Sequence, residues 1–398
     1  MKILLLLEYN PFVKNGASAN RFQGLVQGLR VRGVNVDVAV VGGVVNSTEL
    51  KDYHQGVIYL SRSNRYSYWQ ARLNKYVFNN VHKYIAKRRF NRLDLTKYDY
   101  IWLTNSSTVF DVFYGSGKSV SCKTFMELNE FQDIHKEEGH TSNFLQRVYG
   151  SKSEKSFLNV VSKVDCFAIM TKTLMEHYRK MAKPDARFVH LPMTVDLKRF
   201  QNVPETVAYR KPYIAYTGTF NNAKDGVDVL IKSFGKIAAQ YPDLHLYLAG
   251  FWHYDVPMQE KLVNELGLTD RVTYLGVLDK EQVPAFVCNA DLLVLSRPDS
   301  HQAQGGFPTK LGEYLATGNP VCVTKVGEIP DYLEDNVSAF LATPGDADSF
   351  ADAMDRALRN PENAKTVGLA GRRVAEKSFN LEIQSDKLCQ FLFGKTEF

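Results

Sequence analysis

No run of apolar residues in this chain of 398 approaches the roughly 18 that a membrane-spanning helix needs. The apolar run near the N-terminus, Ile3 to Leu7, stops at Glu8. It is too short for the apolar core of a secretion signal and reads instead as a buried parallel strand. Cysteine is scarce as well. Cys122, Cys166, Cys288, Cys322 and Cys389 are odd in number, far apart, and include no Cys-x-x-Cys pair. That spacing excludes a zinc-binding cysteine cluster and a disulfide framework, and suits reduced core thiols in a cytoplasmic protein. The first glycine-rich loop has no G-x-G-x-x-G. The stretch Tyr114 to Ser119 ends like a phosphate-binding loop, but Val112 stands where its first glycine belongs. One Asp-x-Asp occurs, Asp346-Ala347-Asp348, and it opens an amphipathic helix, where capping explains it better than metal binding. Acidic residues are absent from Arg62 to Arg92.

What is present is the composition of a large globular chain. Hydrophobic residues make up 44% and the formal net charge is +6, so two or three domains with a substantial core are expected. Lys2 to Leu7 is a strand and Glu8 to Asn20 a polar loop. Phe22, Leu25, Val26 and Leu29 follow at helical spacing, and Val34 to Val41 is the next strand. Strand, loop, helix, strand is a βαβ unit, which implies a parallel sheet. Further strands are expected at Tyr100 to Leu103, Lys123 to Met126 and Asp165 to Met170. Gln201 to Pro212, polar with two prolines, reads as a linker. A second alternating series starts at Tyr213. Its first helix places Val227, Leu230, Ile231, Phe234 and Ile237 on one face.

The most informative stretch is Gly305 to Pro330, which reads as loop, helix, turn and strand. Pro308 suits a first helical turn, Gly318 and Pro320 suit its end, and Val321 to Val323 is a short buried strand. Gly305 and Gly306 leave the backbone free to approach a ligand just before a helix N-terminus, which is anion-binding geometry. Glu313 lies about one turn in, where a carboxylate can accept from the two hydroxyls of a ribose.

From Asp291 to Pro330 the sequence resembles the C-terminal signature of glycosyltransferase family 4, whose members are retaining, metal-independent enzymes. The family pattern is two Glu separated by seven residues around Gly-Phe-Gly. Here the second Glu is Glu313, Gly305 stands at the first, and Pro308 replaces the last glycine of the triplet. Val189 to Phe200 resembles the connector that leads out of the first domain of the family. The resemblance implies an α/β fold of GT-B architecture, in which two Rossmann-like domains with parallel sheets face a deep cleft and a C-terminal helix crosses back to the N-terminal domain. The expected boundaries are 1–202 for an acceptor-binding domain, 203–378 for a nucleotide-sugar-binding domain, and 379–398 for the returning helix.

The same resemblance implies the site. Donor contacts are expected from Gly16, Gly218, Lys224, Arg297, Gly305, Gly306, Phe307 and Glu313. Lys224 would be the leading phosphate contact, since Thr219 and Asp225 replace the family's Arg and Lys in the loop after Thr217. Glu130 and Glu127, with His135 further on, follow a core strand where the family places a polar group beneath the donor sugar. The nucleotide-sugar is then the substrate, with no separate cofactor and no metal. The acceptor would be a saccharide or a lipid-linked saccharide of a bacterial surface polysaccharide. Two other readings stay open: a nucleotide-sugar epimerase or hydrolase using Glu127 and Glu130, and a non-catalytic basic binding module.

Arg62 to Arg92 holds nine cations and seven aromatics. That pattern suits an anionic membrane surface, with the aromatic rings at the interface. It places the protein in the cytoplasm, peripheral on the inner face of the plasma membrane. Nucleic acid is not an expected partner.

Overall fold

A computed structural model describes residues 1–13, 16–42, 56–60, 79–117, 121–132, 154–205 and 208–394. They form two compact units, one of residues 1–191 with 385–398 and one of residues 192–384. Residues 192–202 and 379–384 therefore lie in the second unit, not where the sequence placed them. The reason is local pairing. Val195 N donates to Phe379 O (2.8 Å) and Leu381 N donates to Val195 O (3.0 Å), so the connector and the end of the chain's penultimate helical segment hold each other.

The first unit is a seven-stranded parallel sheet. Its strands are β1 (Lys2–Leu7), β2 (Asn35–Val40), β3 (Val57–Tyr59), β4 (Tyr100–Leu103), β5 (Lys123–Leu128), β6 (Cys166–Ile169) and β7 (Arg187–His190). The order across the sheet is β3-β2-β1-β4-β5-β6-β7. Ile3 to Leu7 are at most 1% exposed, because helices cover both faces of a parallel sheet and every residue of a central strand must be apolar. Each such leucine contributes about 1.5–3 kcal/mol through burial. Trp102 of β4 is fully buried between Phe22 (5.6 Å between ring centroids) and Phe125 (5.1 Å). The last helix, Leu381–Phe393, belongs to this unit from Ser385 onward. Arg32 pairs with Asp386, and the Tyr100 hydroxyl donates to Leu392 O (2.7 Å). Gly28 permits this contact, since a Cβ there would lie 2.0 Å from Ser385 Oγ.

The second unit is a six-stranded parallel sheet of β8 (Tyr213–Thr219), β9 (His245–Phe251), β10 (Val272–Gly276), β11 (Leu292–Leu295), β12 (Val321–Thr324) and β13 (Phe340–Ala342). Its order is β10-β9-β8-β11-β12-β13, so the chain steps one way from β8 and the other way from β11. A reversal of this kind leaves a crevice at the carboxyl ends of the two middle strands, where open α/β sheets bind ligands. Val227, Leu230, Ile231, Phe234 and Ile237 of the helix Val227–Ile237 are all buried, as their spacing implies. Asp346 caps the helix Ala347–Arg359 by accepting from Asp348 N (2.9 Å) and Ser349 N (3.0 Å), so its Asp-x-Asp is a capping device. All five cysteines are free thiols. Among the described residues no helix is long and apolar enough to cross a membrane.

Asp165, just before β6, ties the edge of the first sheet together. Its Oδ2 accepts from Thr124 N (2.6 Å) and Thr124 Oγ1 (2.8 Å), and its Oδ1 accepts from Lys183 Nζ (2.5 Å). Burial opposes ionisation, but Lys183 and Thr124 outweigh it and hold the carboxyl below its usual range. A depressed carboxyl stabilises the fold above its unfolded pKa of about 3.9, and that contribution is lost as pH falls through the folded value. Asp165→Asn is expected to cost about 1–3 kcal/mol at pH 7. In urea denaturation the gap to the unsubstituted protein should shrink between pH 5 and pH 3. A gap of constant size across that range would show that the charge of Asp165 is not what stabilises the edge.

Candidate functional site

The carboxyl ends of β8 and β11 carry an unusual concentration of buried charge. Lys310 projects from the first turn of the helix Thr309–Thr317, and its Nζ lies 3.1 Å from Asp225 Oδ2. The same ammonium donates to the Tyr216 hydroxyl (3.4 Å) and sits 4.9 Å from the centre of that ring. Tyr216 Oη is in turn within donating distance of Thr219 O (2.8 Å) and Asp225 Oδ2 (3.0 Å). Gly218 makes room for this arrangement. A Cβ there would lie 2.2 Å from Lys310 Nζ and 2.4 Å from Tyr216 Oη.

Burial lowers the pKa of Lys310 and Asp225 opposes the shift, while the positive fields of Arg297 and Lys224 add to it. Asp225 is held below the usual carboxylate range, because Lys310, Tyr216 and Arg297 outweigh its burial. Three cations therefore contribute to this cluster, Lys310 and Arg297 acting on Asp225, and Arg297 and Lys224 on Lys310. Arg297 is 6% exposed, whereas Lys224 is at the surface with its amide bonded to Asn221 Oδ1 (2.8 Å). A positive field of this kind beside a low-dielectric core suits an anion.

The helix that carries Lys310 supplies dipoles as well. Its N-cap is Pro308, which offers no side-chain cap; Leu311 N donates to Pro308 O (3.1 Å), and the amides of Thr309 and Lys310 have no intrahelical acceptor. Tyr314 in its second turn locks the helix to β8, since Thr217 N donates to Tyr314 Oη (2.6 Å). Glu313 lies on the same helix with its side chain about a quarter exposed. Its Oε1 accepts from Arg199 Nη1 (2.9 Å), and Arg199 Nη2 reaches Lys280 O (3.3 Å).

The expected site residues separate on this geometry. Gly218, Lys224, Arg297 and Glu313 surround or neighbour the cluster. Lys310 and Arg199 belong with them and were missed. Gly305 is not open loop: it ends a short helix, His301–Gly305, capped by Ser300, whose hydroxyl accepts from Ala303 N (3.2 Å). The Gly306 amide is already committed to Gln302 O (3.0 Å). Phe307 is buried, its ring packed against Tyr332 (5.5 Å between centroids) and Phe379 (5.2 Å).

In the first unit, Gly16 is the N-cap of the helix Ala17–Val31 and has open space around it. Glu127 is corrected. β5 runs on to Leu128, which turns Glu127 into the interior, 5% exposed and paired with buried Arg21. Arg21 also donates to Leu191 O (3.0 Å). A buried pair of this kind costs about 3–5 kcal/mol when one partner is removed. Glu130 is half-buried and accepts from Gln132 Nε2 (3.4 Å). His135 lies outside the described residues.

Residues 211–360 match the family described as Glycosyl transferases group 1. The chain is 24% identical over 245 residues to a GDP-mannose-dependent alpha-(1-6)-phosphatidylinositol monomannoside mannosyltransferase of Mycolicibacterium smegmatis, spanning 58% of this chain and 63% of the relative. It is 29% identical over 191 residues to an MMP alpha-(1->4)-mannosyltransferase of Mycolicibacterium hassiacum, spanning 48% of this chain and 44% of the relative. The matched region thus spans less than two thirds of the length of these curated relatives. In fold, sucrose-phosphate synthase from Thermosynechococcus elongatus superposes with a TM-score of 0.72 at 19% identity, covering 98% of this chain and 97% of that one. HepE of Anabaena, solved in complex with UDP and glucose, superposes with a TM-score of 0.71 at 16% identity, covering 99% and 100%. Residues 211–360 are thus similar to the glycosyl transferases group 1 family, and the chain shares the GT-B fold of these solved structures.

Proposed function

We propose that the protein transfers a sugar, with retention, from a nucleotide-sugar to a hydroxyl of a saccharide or lipid-linked acceptor in bacterial surface polysaccharide or glycolipid synthesis. The observation that carries this reading is the positive field of Lys310, Arg297 and Lys224 beside Asp225, at the start of a helix whose N-cap Pro308 offers no side-chain cap. A nucleotide diphosphate supplies the matching negative charge. As the bond between the anomeric carbon and the diphosphate breaks, charge develops on the leaving oxygen, and fixed cations and amides stabilise it without reorganising. The acceptor oxygen bonds to the anomeric carbon, and its proton passes to the departing phosphate. In this reading cations of the chain and helix amides replace a divalent metal, and Glu313 holds the donor ribose.

Incubation with UDP-, GDP- and ADP-sugars, with and without acceptor and with and without EDTA, followed by mass spectrometry, tests the proposal. Transfer that survives EDTA is the expected result. Free altered sugar without transfer would favour the epimerase or hydrolase reading, and restoration by manganese after EDTA would contradict metal independence.

Lys310→Met combined with Asp225→Asn removes the cation without stranding a buried carboxylate. Affinity for GDP or UDP, measured by calorimetry, should fall about 10- to 100-fold, the loss of one charge-assisted hydrogen bond of about 1.5–3 kcal/mol. Undiminished affinity in a folded double variant would remove Lys310 from the site.

The basic stretch lies partly outside the described residues: Arg62, Arg65, Arg72 and Lys75 are among those not described. Of the others, Lys83 pairs with Asp111 (2.7 Å) and Arg89 donates to Leu60 O (3.3 Å), while Tyr84, Arg88 and Arg92 are exposed. We propose that this surface meets anionic lipid on the cytoplasmic face. Sedimentation with liposomes of rising anionic content should show binding that salt weakens. Binding indifferent to lipid charge and salt would sink this claim and leave the transferase reading intact.

A further inference from the structure

Arg199 occupies a position that neither the sequence reading nor the charge cluster explains. It sits on the short 3-10 helix Leu197–Phe200, which Asp196 caps by accepting from Lys198 N (3.1 Å). That segment is anchored on its own side by Lys198, whose Nζ lies 2.7 Å from Glu382 Oε1. It is also pressed against the Glu313 helix, since a Cβ at Gly312 would lie 2.3 Å from Met193 Sδ. From this base the guanidinium reaches two other segments. Nη1 donates to Glu313 Oε1 (2.9 Å), and Nη2 donates to Lys280 O (3.3 Å) in the loop between β10 and the helix Gln282–Cys288. Its plane rests near the Phe200 ring, 5.4 Å from the centroid.

The pair is half-buried, its side chains 22% and 26% exposed. What it does is order a flexible side chain. A glutamate in solution samples many rotamers, and any ligand it binds must bear the cost of fixing one. Here the carboxylate is fixed before a ligand arrives. Oε1 retains one lone-pair direction and Oε2 has no hydrogen-bond donor among the described residues, so acceptor capacity remains for two further donors. Arginine is suited to the task because its planar fork reaches two acceptors at once, which a lysine ammonium on a flexible stem does not reproduce.

We infer that Arg199 is a positioning residue, which holds the Glu313 carboxylate and the main chain at Lys280 in one frame so that Glu313 reads the vicinal hydroxyls of a ribose. The inference rests on the proposed donor site and adds to it the origin of its selectivity for a ribonucleotide.

The test compares GDP and UDP with their 2′-deoxy counterparts by calorimetry. The unsubstituted protein is expected to favour the ribonucleotide by about tenfold or more, the loss on removing one charge-assisted hydrogen bond. Arg199→Ala should reduce that preference to less than about threefold while the affinity for the deoxynucleotide changes by less than about threefold. Arg199→Lys should fall between the two. Circular dichroism and thermal unfolding establish that each variant is folded. If Arg199→Ala keeps the full preference, or weakens both nucleotides alike, Arg199 does not position Glu313, and the donor site stands without it. A protein that binds the nucleotides with no ribose preference overturns the role of Glu313 and of Arg199 together. Failure to bind any of these nucleotides overturns the donor site itself.

Discussion

The contact between Lys310 and Asp225 constrains everything around it in the second unit. An ammonium with so little water around it needs a carboxylate, and a carboxylate as buried as Asp225 needs that ammonium. Their neighbours follow from this need. Tyr216 gives both groups a hydrogen-bonding partner, Gly218 leaves the space in which the ammonium sits, and Thr217 binds Tyr314 so that the helix carrying Lys310 stays in register with β8. The pair balances one charge of each sign. Arg297 and Lys224 add their positive fields to the cluster, which in the proposed reading favours an anion.

Much of the fold was legible in the sequence because parallel sheets leave a strong mark. Strands buried on both faces must be apolar throughout, and Ile3 to Leu7 is such a run. The helix Val227–Ile237 showed its buried face through its spacing alone. The strands expected around Tyr100, Lys123, Tyr213 and Val321 all form, and the final helix joins the first unit from Ser385. These features depend on local periodicity, which a linear reading captures.

The site was less legible, because its contacts join residues distant in sequence. Glu127 was expected at a strand end, and a strand two residues longer than supposed turned it inward to Arg21, 106 positions away. Glycine and aromatic residues at Gly305 to Phe307 looked like a ligand loop, yet a short helix takes the Gly306 amide and a trio of rings takes Phe307. Lys310 carries no local signal of its role. Its role needs Asp225, and Asp225 had been read only as a departure from a pattern. The two are separated by 85 residues of chain that periodicity cannot fold together. The charge reversal at Asp225 was nonetheless a signal: a carboxylate in a loop expected to hold an anion demands a nearby cation, and the only question left was which one.

Lys310 and Glu313 lie three residues apart on one helix, a spacing at which opposite charges on neighbouring positions can pair. They do not pair with each other. Lys310 is drawn to Asp225 on the β8 side and Glu313 to Arg199 on the connector side, 3.1 Å and 2.9 Å respectively. A direct Lys310–Glu313 pair would cancel the charge that an anion needs and occupy the oxygens that a diol needs. Separate partners keep both functions available within a single helical turn, about 5 Å of helix axis. They also anchor the helix from two directions, so the spacing between the anion-binding end and the hydroxyl-reading carboxylate is set by the backbone and not by the ligand. In the proposed reading, a site built this way selects for a molecule in which phosphate and vicinal diol are joined at one short, fixed distance, and meets it with little left to rearrange.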